Sequence, residues 1–153
     1  MRKYNYVEEI INTAKKLRNV FDFMIDSDEY LSFFNPDLCG LCAIASITLK
    51  DIYKRDLLHH ADVYKGEFLE DEHCWVCIQG MFVDITATQF GLNSPVICVR
   101  ADSDFAKNHF NKGQIINNIN VFDEWPEEQR PDENIINTIK EKYYEFNRQI
   151  AKA

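Results

Sequence analysis

Three side chains in this sequence have the types and spacing for acyl transfer: a cysteine at position 42, a histidine at 73 and an aspartate at 84. Cys42 opens the run "CAIASITLKDIY", where small and apolar residues run almost all the way round a helical wheel, the pattern of a buried helix. The first turn of a helix leaves backbone N–H groups unpaired and carries the positive end of the dipole. A cysteine placed there ionises more readily, and the same N–H groups can stabilise an oxyanion. His73 and Asp84 lie in two β-prone runs, "HCWVCI" and "MFVDIT", joined by Gln79-Gly80, which reads as a tight hairpin. Counting back from that turn sets Ile78 opposite Met81, Cys77 opposite Phe82, Trp75 opposite Asp84 and His73 opposite Thr86. His73 and Asp84 then share one face as diagonal neighbours with Cα atoms about 7–8 Å apart, a gap their side chains can bridge by a hydrogen bond. A carboxylate behind an imidazole fixes its tautomer and orientation. With a thiolate as nucleophile, the set can attack an amide carbonyl and protonate the leaving amine.

Other readings of the same residues stand beside this one. Cys39, in "DLCGLCAIAS", becomes the nucleophile if the helix starts three residues earlier. Cys39, Cys42, Cys74 and Cys77 form two Cys-x-x-Cys pairs, the spacing of a four-cysteine zinc site. Against zinc, Cys74-Trp75-Val76-Cys77 is strand-prone and lacks a turn former, and residues an odd number apart on a strand point to opposite faces. No metal and no cofactor is expected. A third reading is a catalytically silent binding module in which the cysteines are core. Cys74, Cys77 and Cys98 read as buried apolar positions on strands. Trp75 is expected to pack beside the His–Asp pair and keep water from it, and Thr86 to tune it. Asn35 and Gln89 are candidates for an oxyanion or pocket role. His59, His60 and His109 stand too isolated to interpret.

The ordered motifs "GLCAIAS", "HCW", "VDITATQF", "SPVICVRADS" and "NHF" resemble the bacterial transglutaminase-like branch of the papain-like cysteine peptidase fold. The resemblance covers residues 37 to 110. It implies peptidase, deamidase, amidase or transglutaminase chemistry through a thioester, with Cys42 as nucleophile, His73 as base and Asp84 as the orienting carboxylate. Protein or peptide substrates follow from it, and an acidic domain of this size fits a housekeeping amidohydrolase, a maturation enzyme, or a toxin or secreted effector that deamidates or crosslinks a glutamine of another protein.

The elements that must position these residues follow from periodicity. Val7, Ile10, Ile11, Ala14, Leu17, Phe21 and Met24 mark an amphipathic helix from Tyr6. Residues 26 to 38 read as a loop with Phe33 and Phe34 tucked under the domain, and residues 41 to 53 as the buried helix. A strand is expected over 61 to 67, then an acidic link "EFLEDE", the hairpin, and a strand over 95 to 100. Residues 113 to 125 fit strand or loop. Ile135, Ile139, Tyr143, Phe146 and Ile150 mark a last amphipathic helix over 132 to 151. The expected class is α+β, a papain-like or transglutaminase-like core in which the Cys-bearing helix packs on a small antiparallel sheet between flanking helices.

The 153 residues, 46% of them hydrophobic, fit a single domain spanning 1–153. A net charge of -8 with scattered basic residues argues against nucleic acid and anionic membranes as partners. No apolar run nears the roughly 20 residues of a membrane span, and Glu8 and Glu9 interrupt any signal-peptide core. An odd count of five cysteines points to reduced thiols. The expected location is the cytoplasm, or outside the cell by a route without a cleaved leader.

Overall fold

A computed structural model describes residues 6–27, 31, 38 and 40–152, with side chains followed as far as residue 148. The chain is α+β. Helices α1 (Tyr6–Ser27), α2 (Cys42–Ile52), α3 (Asp104–His109) and α4 (Glu133–Lys152) accompany strands β1 (Asp62–Phe68), β2 (Asp71–Ile78), β3 (Met81–Asp84), β4 (Ile97–Arg100) and β5 (Phe110–Ile115). The strands form one sheet, ordered β4-β3-β2-β1-β5, with every neighbouring pair antiparallel.

Alternation along β2 and β3 divides the interior in two. Val76, Ile78 and Val83 point to the face covered by α1, α2 and α4, where they join Ile10, Leu17, Phe21, Ile44, Leu49, Ile139 and Tyr143 in the main core. Trp75 points to the other face, into a smaller core with Phe68, Ala87, Ile97, Ala106 and Phe110. Room for its indole comes from two glycines: a Cβ on Gly66 would lie 2.7 Å from the Trp75 ring and 2.6 Å from the Asn111 carbonyl, and one on Gly113 would lie 2.6 Å from the same ring. The indole is stacked on Tyr64 and packed against Phe82 and Phe110. Its Nε1 is a buried donor with no hydrogen-bond partner among the described residues.

Several details differ from the expectations. The acidic link is instead a hairpin: β1 runs through Phe68, β2 begins at Asp71, and Leu69 and Glu70 make the turn with φ of 49° and 75°. Such turns need positive φ at both central residues, which Asn-Gly announces and Leu-Glu does not. Residues 87–90 leave the sheet as a 3₁₀ turn, and a short helix, α3, precedes β5. Ser103 caps α3 by accepting from the Ala106 N–H at 3.1 Å. The undecided stretch divides, with β5 ending at Ile115 and a 3₁₀ turn following at Ile119–Phe122. On α4 the innermost residues are Ile136, Ile139 and Tyr143, while Ile135 and Phe146 sit at the edge of the core. Most of the expected 26–38 loop, with Phe33, Phe34, Asn35 and also Cys39, lies outside the described residues.

Candidate active site

The β2–β3 ladder spans only Val76–Ile78 against Met81–Val83, because the chain turns out of the sheet after Asp84. The first half of β2 therefore has β1 on one side and, among the described residues, no strand on the other. The N-terminus of α2, the end of β3 and the 87–90 turn meet at this notch.

His73 sits at its centre, fully buried. Its Nε2 lies 2.5 Å from Asp84 Oδ2. The other carboxylate oxygen, Oδ1, accepts from the Thr86 N–H at 2.8 Å and from the Thr86 hydroxyl at 3.2 Å. With both oxygens held, the carboxylate cannot rotate away, and it requires the proton on Nε2. His73 Nδ1 is thereby left free of the carboxylate, and the Cys42 thiol is within hydrogen-bonding reach of the ring. Phe68 and Phe90 meet the imidazole edge-on at 5.6 and 4.9 Å, and Trp75 stacks beyond them at 6.4 Å. The imidazole is walled in aromatic carbon on the sides that Asp84 and Cys42 leave open.

Cys42 is the first residue of α2, after Leu41 at the N-cap, and no acidic side chain in the first turn offsets the helix dipole. It is 4% exposed and packs with Ala43, Cys74 and Phe122, with Trp125 at the edge of the cluster. Its thiol pKa is lowered to about 5. The largest cause is a hydrogen bond from the Cys74 thiol; burial opposes it, and the hydrogen bond and charge of His73 add to it. Cys74 is raised in turn, first because its proton is held by Cys42. On His73 burial is the largest single cause and disfavours the cation, but Asp84, by charge and hydrogen bond, and Cys42 together outweigh it, lifting the imidazole to about 10. Both shifts favour the thiolate–imidazolium form of the pair.

No family model, curated protein or solved structure matches the chain. The functional reading therefore rests on the site's own geometry.

The structure brings Cys42, His73 and Asp84 together. It also brings Gln89 to them: its side-chain Nε2 donates to the Thr86 carbonyl at 3.0 Å and lies 3.4 Å from His73 Nδ1, the ring nitrogen that Asp84 leaves free. Trp75 is behind the histidine and supplies packing. Asn35 and Cys39, the other candidates, fall outside the described residues. Cys74 and Cys77 project to opposite faces of β2, Cys74 against Cys42 and Cys77 opposite Phe82, so this pair does not converge as a zinc site needs. Among the described residues no three His, Cys, Asp or Glu side chains are grouped to hold a metal ion. Cys77 and Cys98 are half-buried rather than fully buried. His60 pairs with exposed Asp62, His59 with Gln79, and His109 stacks on Phe105.

Sequence reasoning missed three contributors. Cys74 reads as core, and it is buried, but its thiol also hydrogen-bonds the nucleophile candidate. Phe68 was hidden in the acidic link. Arg18, on α1, is 7% exposed and donates to the Ile85 carbonyl at 2.8 Å, Thr88 Oγ1 at 3.1 Å and the Pro95 carbonyl at 3.2 Å, bracing the segment that carries Thr86 and Gln89. A charge on the apolar stripe of α1, between Leu17 and Phe21, was its only signal.

Proposed function

We propose that this protein is a thiol-dependent acyl-transfer enzyme acting on an amide, with Cys42 as nucleophile, His73 as acid–base and Asp84 as orienting carboxylate. One observation carries the reading: a cysteine at a helix N-terminus reaches an imidazole whose far nitrogen is held by a doubly anchored buried carboxylate. The Cys42 thiolate attacks the carbonyl carbon, the first-turn N–H groups of α2 take the oxyanion, and the imidazolium gives its Nδ1 proton to the leaving amine. A thioester on Cys42 results. His73, now neutral, deprotonates water or an amine, which releases the acyl group.

A helix carrying the cysteine against an antiparallel sheet that carries His and Asp on adjacent strands agrees with a papain-like or transglutaminase-like core. A protein or peptide substrate is supported by a groove of about 340 Å³ beside Lys65, the cross-strand partner of Cys74, lined by Glu67, Glu72 and Lys112 with Ile115 and Val121. This mixture of charged and apolar side chains suits a polypeptide, which presents both kinds of group. No helix among the described residues is long and apolar enough to cross a membrane. Free thiols around the nucleophile fit a reducing compartment such as the cytoplasm.

The test is a panel of glutamine-bearing peptides scored for ammonia release and for amide cleavage, with Cys42→Ala as control. Release that disappears in the variant supports the reading. A panel on which wild type and variant behave alike favours the catalytically silent binding module.

A further inference from the structure

Cys74 has no assigned part in the acyl-transfer steps, yet its sulfur lies against the nucleophile. Both side chains belong to one buried cluster and their thiols are hydrogen-bond partners. Both are free thiols. Cys42 retains 4% exposure while Cys74 has none, so a reagent from solvent meets Cys42 first. The other described cysteines are elsewhere: Cys77 points to the opposite face of β2 and Cys98 lies on β4.

We propose that Cys42 and Cys74 are a paired modification site, at which a hydroperoxide converts the two thiols into a reversible intramolecular disulfide that protects and silences the nucleophile. In the first step the Cys42 thiolate attacks the outer peroxide oxygen. An S–O bond forms, the O–O bond breaks, and the alkoxide or hydroxide takes the proton of the His73 imidazolium. Sulfur is oxidised by two electrons and the peroxide is reduced. In the second step the Cys74 sulfur attacks the Cys42 sulfenic acid; the S–S bond forms, and hydroxide leaves with the Cys74 proton as water. The hydrogen bond to Cys42 is the largest cause that holds the Cys74 proton, ahead of burial, and oxidation of Cys42 removes the thiolate that accepts it. A dithiol reductant returns both thiols. A sulfenic acid without a neighbouring thiol continues to the irreversible sulfinic acid.

The proposal is read by mass, and so is independent of whether an amide substrate is found. Reduced, desalted full-length protein is treated with hydrogen peroxide, blocked with N-ethylmaleimide under denaturing conditions and mapped by mass spectrometry. The expected result is a loss of about 2 Da before blocking, a Cys42–Cys74 linked peptide, and full recovery with dithiothreitol. In Cys74→Ala, and in Cys74→Ser should the alanine variant fold poorly, Cys42 should instead gain about 32 Da that dithiothreitol does not reverse. Wild-type protein whose Cys42 gains that mass at the same rate as the variants overturns the proposal. A disulfide mapped to Cys39 instead of Cys74 also overturns it.

Discussion

Replacing Asp84 by Asn tests whether the carboxylate sets the state of His73. The substitution keeps the volume, and the Asn carbonyl oxygen can still accept from the Thr86 N–H and hydroxyl, so the β3 end should hold its shape. The amide then turns its NH₂ toward His73 Nε2, which must present a lone pair. Two things are lost together: the charge that keeps the buried ring protonated, and the tautomer that leaves Nδ1 for the sulfur. The rise of the His73 pKa from 6.5 to about 10 corresponds to roughly 5 kcal/mol in favour of the cation, at about 1.4 kcal/mol per tenfold change in the equilibrium. Burial opposes the cation and Asp84 is the largest favourable cause, so most of that preference should vanish with the charge. The assay is an NMR titration of the His73 ring nitrogens. Wild type should remain protonated through neutrality and titrate near 10, whereas Asp84→Asn should titrate at or below 6.5. Cys42-dependent turnover should fall by about 10⁴, the consequence of the wrong tautomer when the carboxylate of a nucleophile–His–Asp triad becomes an amide. A variant in which His73 still titrates near 10 would refute the role given to Asp84.

Other perturbations test the supports. Gly66→Ala forces a methyl group within 2.6 Å of the Asn111 carbonyl and 2.7 Å of Trp75, and should cost about 1–3 kcal/mol, measured by urea unfolding. Arg18→Ala leaves the buried Ile85 carbonyl unpaired and frees the segment bearing Thr86 and Gln89; a loss of about 2–4 kcal/mol is expected, with lowered activity in the fraction that remains folded. Because its folded pKa is raised, His73 contributes stability that is complete below 6.5 and lost as pH rises through about 10. Cys42, lowered, contributes stability that is complete above 9.0 and lost as pH falls through about 5. Melting temperature should therefore decline at both extremes, and the acid-side decline should be shallower in Cys42→Ala. Gln89→Ala should leave stability nearly unchanged but alter turnover, since its amide lies at the reacting edge of His73; unchanged kinetics would remove it from the site.

The sequence was most legible where a strict period or a turn signal acts. Gln79-Gly80 fixes the β2–β3 register, and that register alone puts His73 and Asp84 on one face. The apolar run after Gly40 marks α2, although its last turn widens into a π-helical turn over Tyr53–Leu57 that the side-chain pattern does not announce. The Leu69-Glu70 turn was hidden because neither residue favours the backbone it adopts. Arg18 and Cys74 were hidden for a different reason. Their partners lie far away in sequence, at Ile85 and Pro95 for one and at Cys42 for the other, and only the packing of α1 and α2 on the sheet brings them within reach.

The central claim is that Cys42 rests as a thiolate paired with the His73 imidazolium. It is tested most directly by the ultraviolet thiolate absorbance of the folded protein against pH, with Cys42→Ala subtracted. The account predicts one thiolate per chain appearing with a midpoint near 5 and absent from the variant. Absorbance that rises only near the ordinary thiol value of about 8.5 would contradict it.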